Sequence, residues 1–295
     1  MTSWLFEHQA QLQWYLWLGS FALVAVWESF KPRRRLITAS AARWFNNTAL
    51  TSLGGLLAQF CLPLAAFAFA GLAEERGWGL LNQVSAPFWL SCALAVLVMD
   101  FGSYGIHRLF HAIPALWRCH KIHHSDLDVD CGTAIRHHPI EFVIAAGADL
   151  AIIAAIGAPP LAVFIGVALG AVASVFNHGN VAVPAAMDRL LRRVVVTPDV
   201  HRIHHSVIVA EGNRNFGNLF TWWDYLFATY QAEPRGGHER MELGIREARA
   251  PADVTLWRLL AMPFRRPHIV AATPSTGEEL CGSEELNFSN RANVR

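Results

Sequence analysis

Charge is scarce in this sequence. Asp, Glu, Lys and Arg make up 16% of the 295 residues and apolar residues 53%, where an ordinary soluble domain is roughly 25% charged. That shortfall implies a chain solvated partly by lipid. A positive excess is missing too: the net charge is +1, which leaves no electrostatic basis for a nucleic-acid partner. Cysteine pairing is also lacking. The five cysteines, Cys61, Cys92, Cys119, Cys131 and Cys281, are odd in number and form no Cys-x-x-Cys pair. They exclude a disulfide framework and read as small packed hydrophobes. There is no His-Glu-x-x-His of zinc proteases, no Gly-x-Ser-x-Gly elbow and no Gly-x-Gly-x-x-Gly. Haem-attaching Cys-x-x-Cys-His and ferredoxin cysteine patterns are absent as well. No Lys or Arg precedes the first apolar run and no Ala-x-Ala follows it, so that run is expected to be a retained membrane segment and not a signal peptide.

Long apolar stretches are what the sequence has instead. The first runs from about Trp14 to Phe30 and ends at the basic Lys31-Pro32-Arg33-Arg34-Arg35, an interface anchor. The second spans Ala49 to Gly71 and the third Phe88 to Ile106, both near the ~20 residues a bilayer requires. A fourth region, Phe142 to Phe176, is broken at Gly157-Ala158-Pro159-Pro160 and reads as two short spans or a hairpin. Asp149 lies inside it, and a charged group there is expected to face protein. Lys and Arg collect after the first stretch, after the third and after the fourth, while the loop between the second and third holds only Arg76. By the positive-inside rule the regions after Ile106 and after Phe176 are cytoplasmic. The expected organisation is N-terminal membrane helices over 1–86, a histidine-rich domain over 87–235, and a C-terminal extension over 236–295 whose polar end, from about Pro267, is a flexible tail. The Gly166 to Gly170 pair, a GxxxG, reads as helix packing.

Of fourteen histidines, eleven fall between His107 and His205. His107 and His111 are spaced i, i+4 and share a helix face. His120, His123 and His124 form a His-x-x-His-His cluster on a helix expected to start near Pro114. His201, His204 and His205 repeat that spacing, with Thr197 as the expected N-cap and Pro198 at the first helical position. Adjacent histidines on a helix point about 100° apart, which suits two neighbouring metals better than one. His137, His138 and His178 stand between the clusters. Imidazole suits Fe, Zn, Cu and Ni, and the eight clustered histidines with His178 make nine candidate ligands, more than one tetrahedral zinc can use.

His107-x-x-x-His111, His120-x-x-His123-His124 and His201-x-x-His204-His205, in this order around a hydrophobic hairpin, resemble the fatty acid hydroxylase / sterol desaturase superfamily. Further matching segments are Arg136-His137-His138-Pro139-Ile140-Glu141, Phe176-Asn177-His178 and Thr197 to Ser206. Asn213-Arg214-Asn215-Phe216-Gly217-Asn218 and Trp222 to Tyr230 complete the resemblance, which covers about 90 to 230. It implies an all-α membrane bundle with a cytoplasmic helical cap, two Fe ions bound by histidines, and O₂-dependent oxidation of a C–H bond in a membrane lipid. The ligands it implies are His107, His111, His120, His123, His124, His178, His201, His204 and His205. His138 would be a ligand or a group supporting one, and no catalytic residue beyond the ligands is implied. His137 is off-pattern, and Ala182 stands where some members carry a further histidine. Asp100, Asp126, Asp128 and Glu141 are candidate partners for the second ring nitrogens of the ligands, whereas Asp224 reads as a cap or an Arg partner.

With no electron-transfer motif in the chain, electrons are expected from a separate reductase or carrier. The expected location is the inner or plasma membrane. Two other functions compete. A zinc-dependent membrane hydrolase would need an acid–base carboxylate, for which Glu141 is the motif-linked candidate. A non-catalytic membrane scaffold would not need intact histidine clusters.

Overall fold

The computed structural model describes residues 2–38, 40–62 and 64–265. The expected flexible tail and Cys281 lie outside the described residues. Within them the chain is all-helical, with isolated bridges such as Val195 to Phe220 but no strands. Two long N-terminal helices, α1 (Thr2–Phe30) and α2 (Ser40–Cys61), are followed by α3 (Ala66–Glu75). Next come α4 (Phe88–Ala112), α5 (Pro114–His124), α6 (Pro139–Ile156) and α7 (Pro160–His178). Short helices follow: α8 (Ala185–Leu191), α9 (Pro198–His204), α10 (Val209–Gly212), α11 (Trp222–Leu226) and α12 (Leu256–Ala261).

Four segments are long and apolar enough to cross a membrane: Ala41–Asn82, Phe88–Ala112, Pro139–Ile156 and Pro160–His178. α1 has 29 residues but is not among them, because Glu7, His8, Gln9, Gln11 and Gln13 dilute its first half. The second apolar stretch is not one straight helix. It divides into α2 and α3 across an interval that contains the sequence's Pro63, a residue without a backbone donor. The third runs on to Ala112, so His107 and His111 sit on the last two turns of α4 itself. The fourth is a helical hairpin. Its turn begins at Gly157, whose φ of 68° is left-handed and favours a residue without Cβ; a Cβ there would also stand 2.6 Å from the Trp78 carbonyl oxygen.

α6 packs against α2, α3 and α4, and α7 against α1, α3 and α4. Gly166 lets α7 approach α4, since a Cβ at that position would meet Met99 at 3.2 Å. Large apolar side chains such as Leu56, Phe60, Phe88 and Trp89 remain exposed, as expected of surfaces that face lipid. α4 and α7 end, and α6 begins, at the same end of the bundle. That common end carries the histidines.

Buried ion pairs fasten the N-terminal helices to the histidine end. Arg43 on α2 donates to Asp126 (Nε to Oδ1, 2.7 Å), to Asp130 (Nη1 to Oδ2, 2.7 Å) and to the Asp128 carbonyl. All three acids are buried. Asp128 also accepts from the backbone N–H groups of Ile37 and Thr38. Glu28 at the end of α1 accepts from the backbone of Cys131 and of Asn180, each at 2.7 Å. Arg33, from the basic run, reaches Asp199 on α9 at 3.2 Å. The run therefore serves as an internal tie as well as a candidate interface anchor.

Removing one partner of a buried pair leaves an uncompensated charge and costs about 3–5 kcal/mol. Arg43→Ala is therefore expected to lower the thermal midpoint of the detergent-solubilised protein strongly. A midpoint equal to that of the parent would contradict this role for Arg43.

Candidate metal centre

Four helices converge on the histidine end. α4 presents His107 and His111, α5 presents His120, His123 and His124, and α7 ends on His178. α9 carries His201 and His204, with His205 directly after it. Pro114 and Pro198 open α5 and α9, where a missing N–H costs nothing. Thr197 occupies the N-cap position of α9, but its side chain makes no cap hydrogen bond and its hydroxyl is buried without a partner.

The nine histidines divide into two groups whose ligand atoms lie within 4.8 Å of one another. One is His107, His111, His120, His124 and His204, and the other His123, His178, His201 and His205. Each adjacent pair is split between the groups: His123 from His124, and His204 from His205. The 100° angle between neighbours on a helix produces that division.

The hydrogen bonds on the outer nitrogens fix the tautomers. A carbonyl oxygen only accepts, so a ring nitrogen facing one carries the proton. His107 Nδ1 donates to Phe216 O at 2.8 Å and His204 Nδ1 to Arg214 O at 2.8 Å. His178 Nδ1 donates to Ser174 O at 2.7 Å and His123 Nδ1 to Arg136 O at 3.3 Å. His120 Nδ1 donates to the Glu141 carboxylate at 2.7 Å. Each neutral ring then has a bare lone pair on Nε2, and these lone pairs face each other. The Nε2 atoms of His107 and His204 are 2.9 Å apart, those of His123 and His178 3.1 Å, and those of His107 and His120 3.2 Å. Lone pairs at such distances repel unless they share a cation.

A metal ion fits this donor set. With metal–nitrogen bonds of about 2.1 Å, ligands at right angles stand about 3.0 Å apart, against about 3.4 Å at a tetrahedral centre. The observed separations of 2.9 to 3.2 Å fall at and just above the former. Both ring nitrogens of His205 are buried with no protein partner, as a ring awaiting a ligand would be, and His201 turns Nε2 toward His178 Nε2 at 3.1 Å.

The expected carboxylate partners prove correct only for Glu141. Asp100 instead accepts from Trp223 Nε1 at 2.7 Å and from the backbone of Leu219 and Phe220. Asp126 and Asp128 are taken by Arg43 and the loop before α2. Asp224 accepts from the backbone N–H groups of Phe216 and Gly217, and so holds the loop whose carbonyls orient His107 and His204. His138 lies outside both groups. It is the N-cap of α6, with Nδ1 accepting from the Ile140 N–H and Nε2 facing the Leu260 carbonyl. The off-pattern His137 is the one nearer the centre, bonded to Glu141 at 2.9 Å and stacked on His123 with ring centroids 4.6 Å apart. Ala182 contributes only its backbone N–H, to Lys31 O. Carbonyl partners could not be found from sequence, because every residue has a carbonyl.

A cavity of about 340 Å³ opens from this centre between α4, α6 and α7. His107, His120, His123, His178 and His201 form one end. Ile106, Phe110, Phe142, Ala145 and Ala146 line the wall that runs into the apolar bundle.

The sequence matches the fatty acid hydroxylase family over residues 92–229, a segment that holds all nine histidines. It is 29% identical over 242 residues to ornithine lipid hydroxylase OlsE of Rhizobium tropici, covering 78% of this chain and 71% of that protein. It is 30% identical over 154 residues to alkylglycerol monooxygenase of Homo sapiens, covering 49% of this chain and 31% of that protein. With Delta(7)-sterol 5(6)-desaturase ERG3B of Gibberella zeae the identity is 26% over 168 residues, covering 55% of this chain and 49% of that protein. The last two matches span less than half of each relative's length. No solved structure matches the chain significantly.

Burial, reinforced by neighbouring imidazoles, holds His123, His124, His201, His204 and His205 well below the ordinary histidine value of 6.5. They are neutral and ready to ligate at neutral pH. For His137 burial acts the same way, but the Glu141 carboxylate outweighs it and raises the value. In the metal-stripped protein the unfolded chain therefore binds more protons than the folded one below about pH 6.5, and stability falls as pH drops through that window. His137 acts in the opposite sense, as do Asp130 and Asp224, whose carboxyls burial raises, but the five depressed rings outnumber them. The thermal midpoint of the metal-free protein should decline from about pH 7 to about pH 5; a flat or rising profile would refute this.

Proposed function

Since the chain belongs to the fatty acid hydroxylase / sterol desaturase superfamily, we propose that it is an O₂-dependent di-iron oxidoreductase that hydroxylates or desaturates a membrane lipid. The observation that carries this reading is the set of tautomer-locked, inward-facing Nε2 lone pairs about 3 Å apart. The proposed ligands are His107, His111, His120, His124 and His204 for one iron, and His123, His178, His201 and His205 for the other. Bound iron would supply the activation of O₂ needed to oxidise an unactivated C–H bond. Five histidines gathered in one group favour a coordination number above the four usual for zinc.

The protein's own contribution is orientation and exclusion of water. Phe216 O, Arg214 O, Ser174 O and Arg136 O hold the rings in the ligating tautomer. Glu141 does the same for His120, and its Oε1 is also occupied by His137. That engagement counts against a hydrolase, which would need the same carboxylate free as its acid–base group. The apolar wall of the cavity suits a lipid chain arriving from the bilayer. In this reading the histidine end is cytoplasmic, in keeping with Arg118, Lys121, Arg136, Arg189, Arg192 and Arg193 near it and Arg76 alone at the opposite end. The membrane is the inner or plasma membrane, residues 87–235 form the oxidising domain, and a separate reductase or carrier delivers electrons.

The test combines metal analysis with lipid mass spectrometry. The purified parent should hold two irons per chain, and its expression should add an oxidised lipid to the host. His204→Ala and His123→Ala should each lose metal and product. Full activity in either variant would sink the ligand assignment, and one zinc per chain with hydrolytic activity would replace the whole reading.

A further inference from the structure

Asp149 has no role in the centre described above, yet it lines the same cavity. It lies on α6 at i+7, i+4 and i+3 from Phe142, Ala145 and Ala146, so it belongs to the helix face that forms the cavity wall. Eight residues separate it from Glu141, which places it about 12 Å deeper along the helix, away from the histidines. Three other polar side chains line the cavity between these levels: Asn218, whose amide is already engaged by Gly170 O and Asn177, and two serines. Ser103 is one turn before His107 on α4 and Ser174 one turn before His178 on α7, each about 6 Å from the histidine level.

The acid and both serines lack partners. Among the described residues, the Asp149 carboxyl and the Ser103 and Ser174 hydroxyls make no hydrogen bond or ion pair. Helical serines commonly bond back to the i−4 carbonyl, and neither of these does. No Lys or Arg lines the cavity to neutralise the acid. In the protein alone Asp149 is exposed and the two serines are half-buried, so what covers the carboxyl is the occupant of the cavity or the surrounding lipid. An unpaired ionisable group at that depth of a membrane is costly, and a plain acyl chain against it would leave all three groups unsatisfied. A hydroxyl would not. It donates to the carboxyl and exchanges donor and acceptor roles with the serines.

We propose that Asp149, with Ser103 and Ser174, forms a recognition site for a hydroxyl group carried by the substrate lipid. The site sets how far along the lipid the oxidised carbon lies from that hydroxyl. The inference rests on the reading of the cavity as the place where the lipid is oxidised, and it narrows the substrate class from membrane lipids in general to those with an alcohol function within the hydrophobic layer.

The test measures binding of defined probes to the full-length protein in nanodiscs. Tritiated hexadecan-1-ol is displaced by unlabelled hexadecan-1-ol, by its methyl ether, which accepts but cannot donate, or by hexadecylamine. The parent should favour the alcohol over the ether by about tenfold, near the low end of what one hydrogen bond to a charged group is worth. Asp149→Leu should bring that ratio to about one. Asp149→Asn keeps an acceptor oxygen and should retain a preference of about threefold or more. Equal affinity of the parent for alcohol and ether, or a preference that survives Asp149→Leu, would overturn the proposal. Tighter binding of the amine than of the alcohol would overturn the hydroxyl assignment, as would loss of the preference in a folded Asp149→Asn. Metal content and thermal midpoint report whether each variant folds; if Asp149→Leu does not, the parent and Asp149→Asn decide. Binding needs no turnover. An alcohol preference without any lipid oxidation would leave this site standing and defeat the oxidase reading, while oxidation without the preference would do the reverse.

Discussion

Eight imidazoles with their Nε2 atoms turned toward each other, and His205 beside them, are an unstable arrangement on their own, and much of the structure near them works to hold it. The centre needs neutral rings of one tautomer, and each must be prevented from rotating away from its neighbours. Backbone carbonyls of α7, of the segment before α6 and of the 213–218 loop take the outer N–H groups. Carbonyl acceptors add no net charge, so they fix the tautomer without drawing a proton onto the ring as a carboxylate does. Glu141 is the single carboxylate in direct contact, and it contacts two rings at once.

The loop that supplies Arg214 O and Phe216 O is itself over-determined. Asn215 adopts a positive φ of 55° and its side chain bridges Val200 O and Gln231 O. Asp224 takes the next two backbone N–H groups, and Thr229 Oγ1 donates to it at 2.6 Å. A buried carboxylate satisfied by three donors can hold a strained loop in place. On the opposite side, Arg43 and its acids do the corresponding work for the segment between α5 and α6. The polar groups of this chain thus serve mainly to hold the loops that hold the histidines.

That division explains what could be read from sequence. Helical spacing alone places His107 with His111, and His120 with His123 and His124, and the 100° step separates each adjacent pair into different groups. The hairpin follows from Gly157 and the two prolines after it. What stayed hidden depended on competition. Asp126 and Asp128 look like histidine partners until Arg43, more than eighty residues earlier in the chain, captures one acid and the backbone of Ile37 and Thr38 captures the other. Asp100 shares a helix face with His107, yet the indole of Trp223 and two backbone N–H groups reach it first. His137 and His138 exchange their expected places because Pro139 begins α6. The residue before proline is held extended, which makes His138 the cap and turns His137 toward Glu141 one helical turn on.

The cavity touches both histidine groups, through His107 and His120 of one and His123, His178 and His201 of the other. His111, His124, His204 and His205 do not line it, whereas Gly217 and Asn218 of the 213–218 loop do. A lipid chain in the cavity would therefore meet the two groups together and from the membrane side. The histidines carry no information about which carbon of such a chain would be attacked. Hydroxylation and desaturation begin with the same hydrogen abstraction, so the ligands do not separate these outcomes either. Selectivity has to come from whatever fixes the chain along the cavity, which the apolar wall of Ile106, Phe110, Phe142, Ala145 and Ala146 cannot do, because methylene groups look alike to it. A polar contact at a defined depth can set a register, and the residues available for it are those of the cavity wall that the two histidine groups do not use.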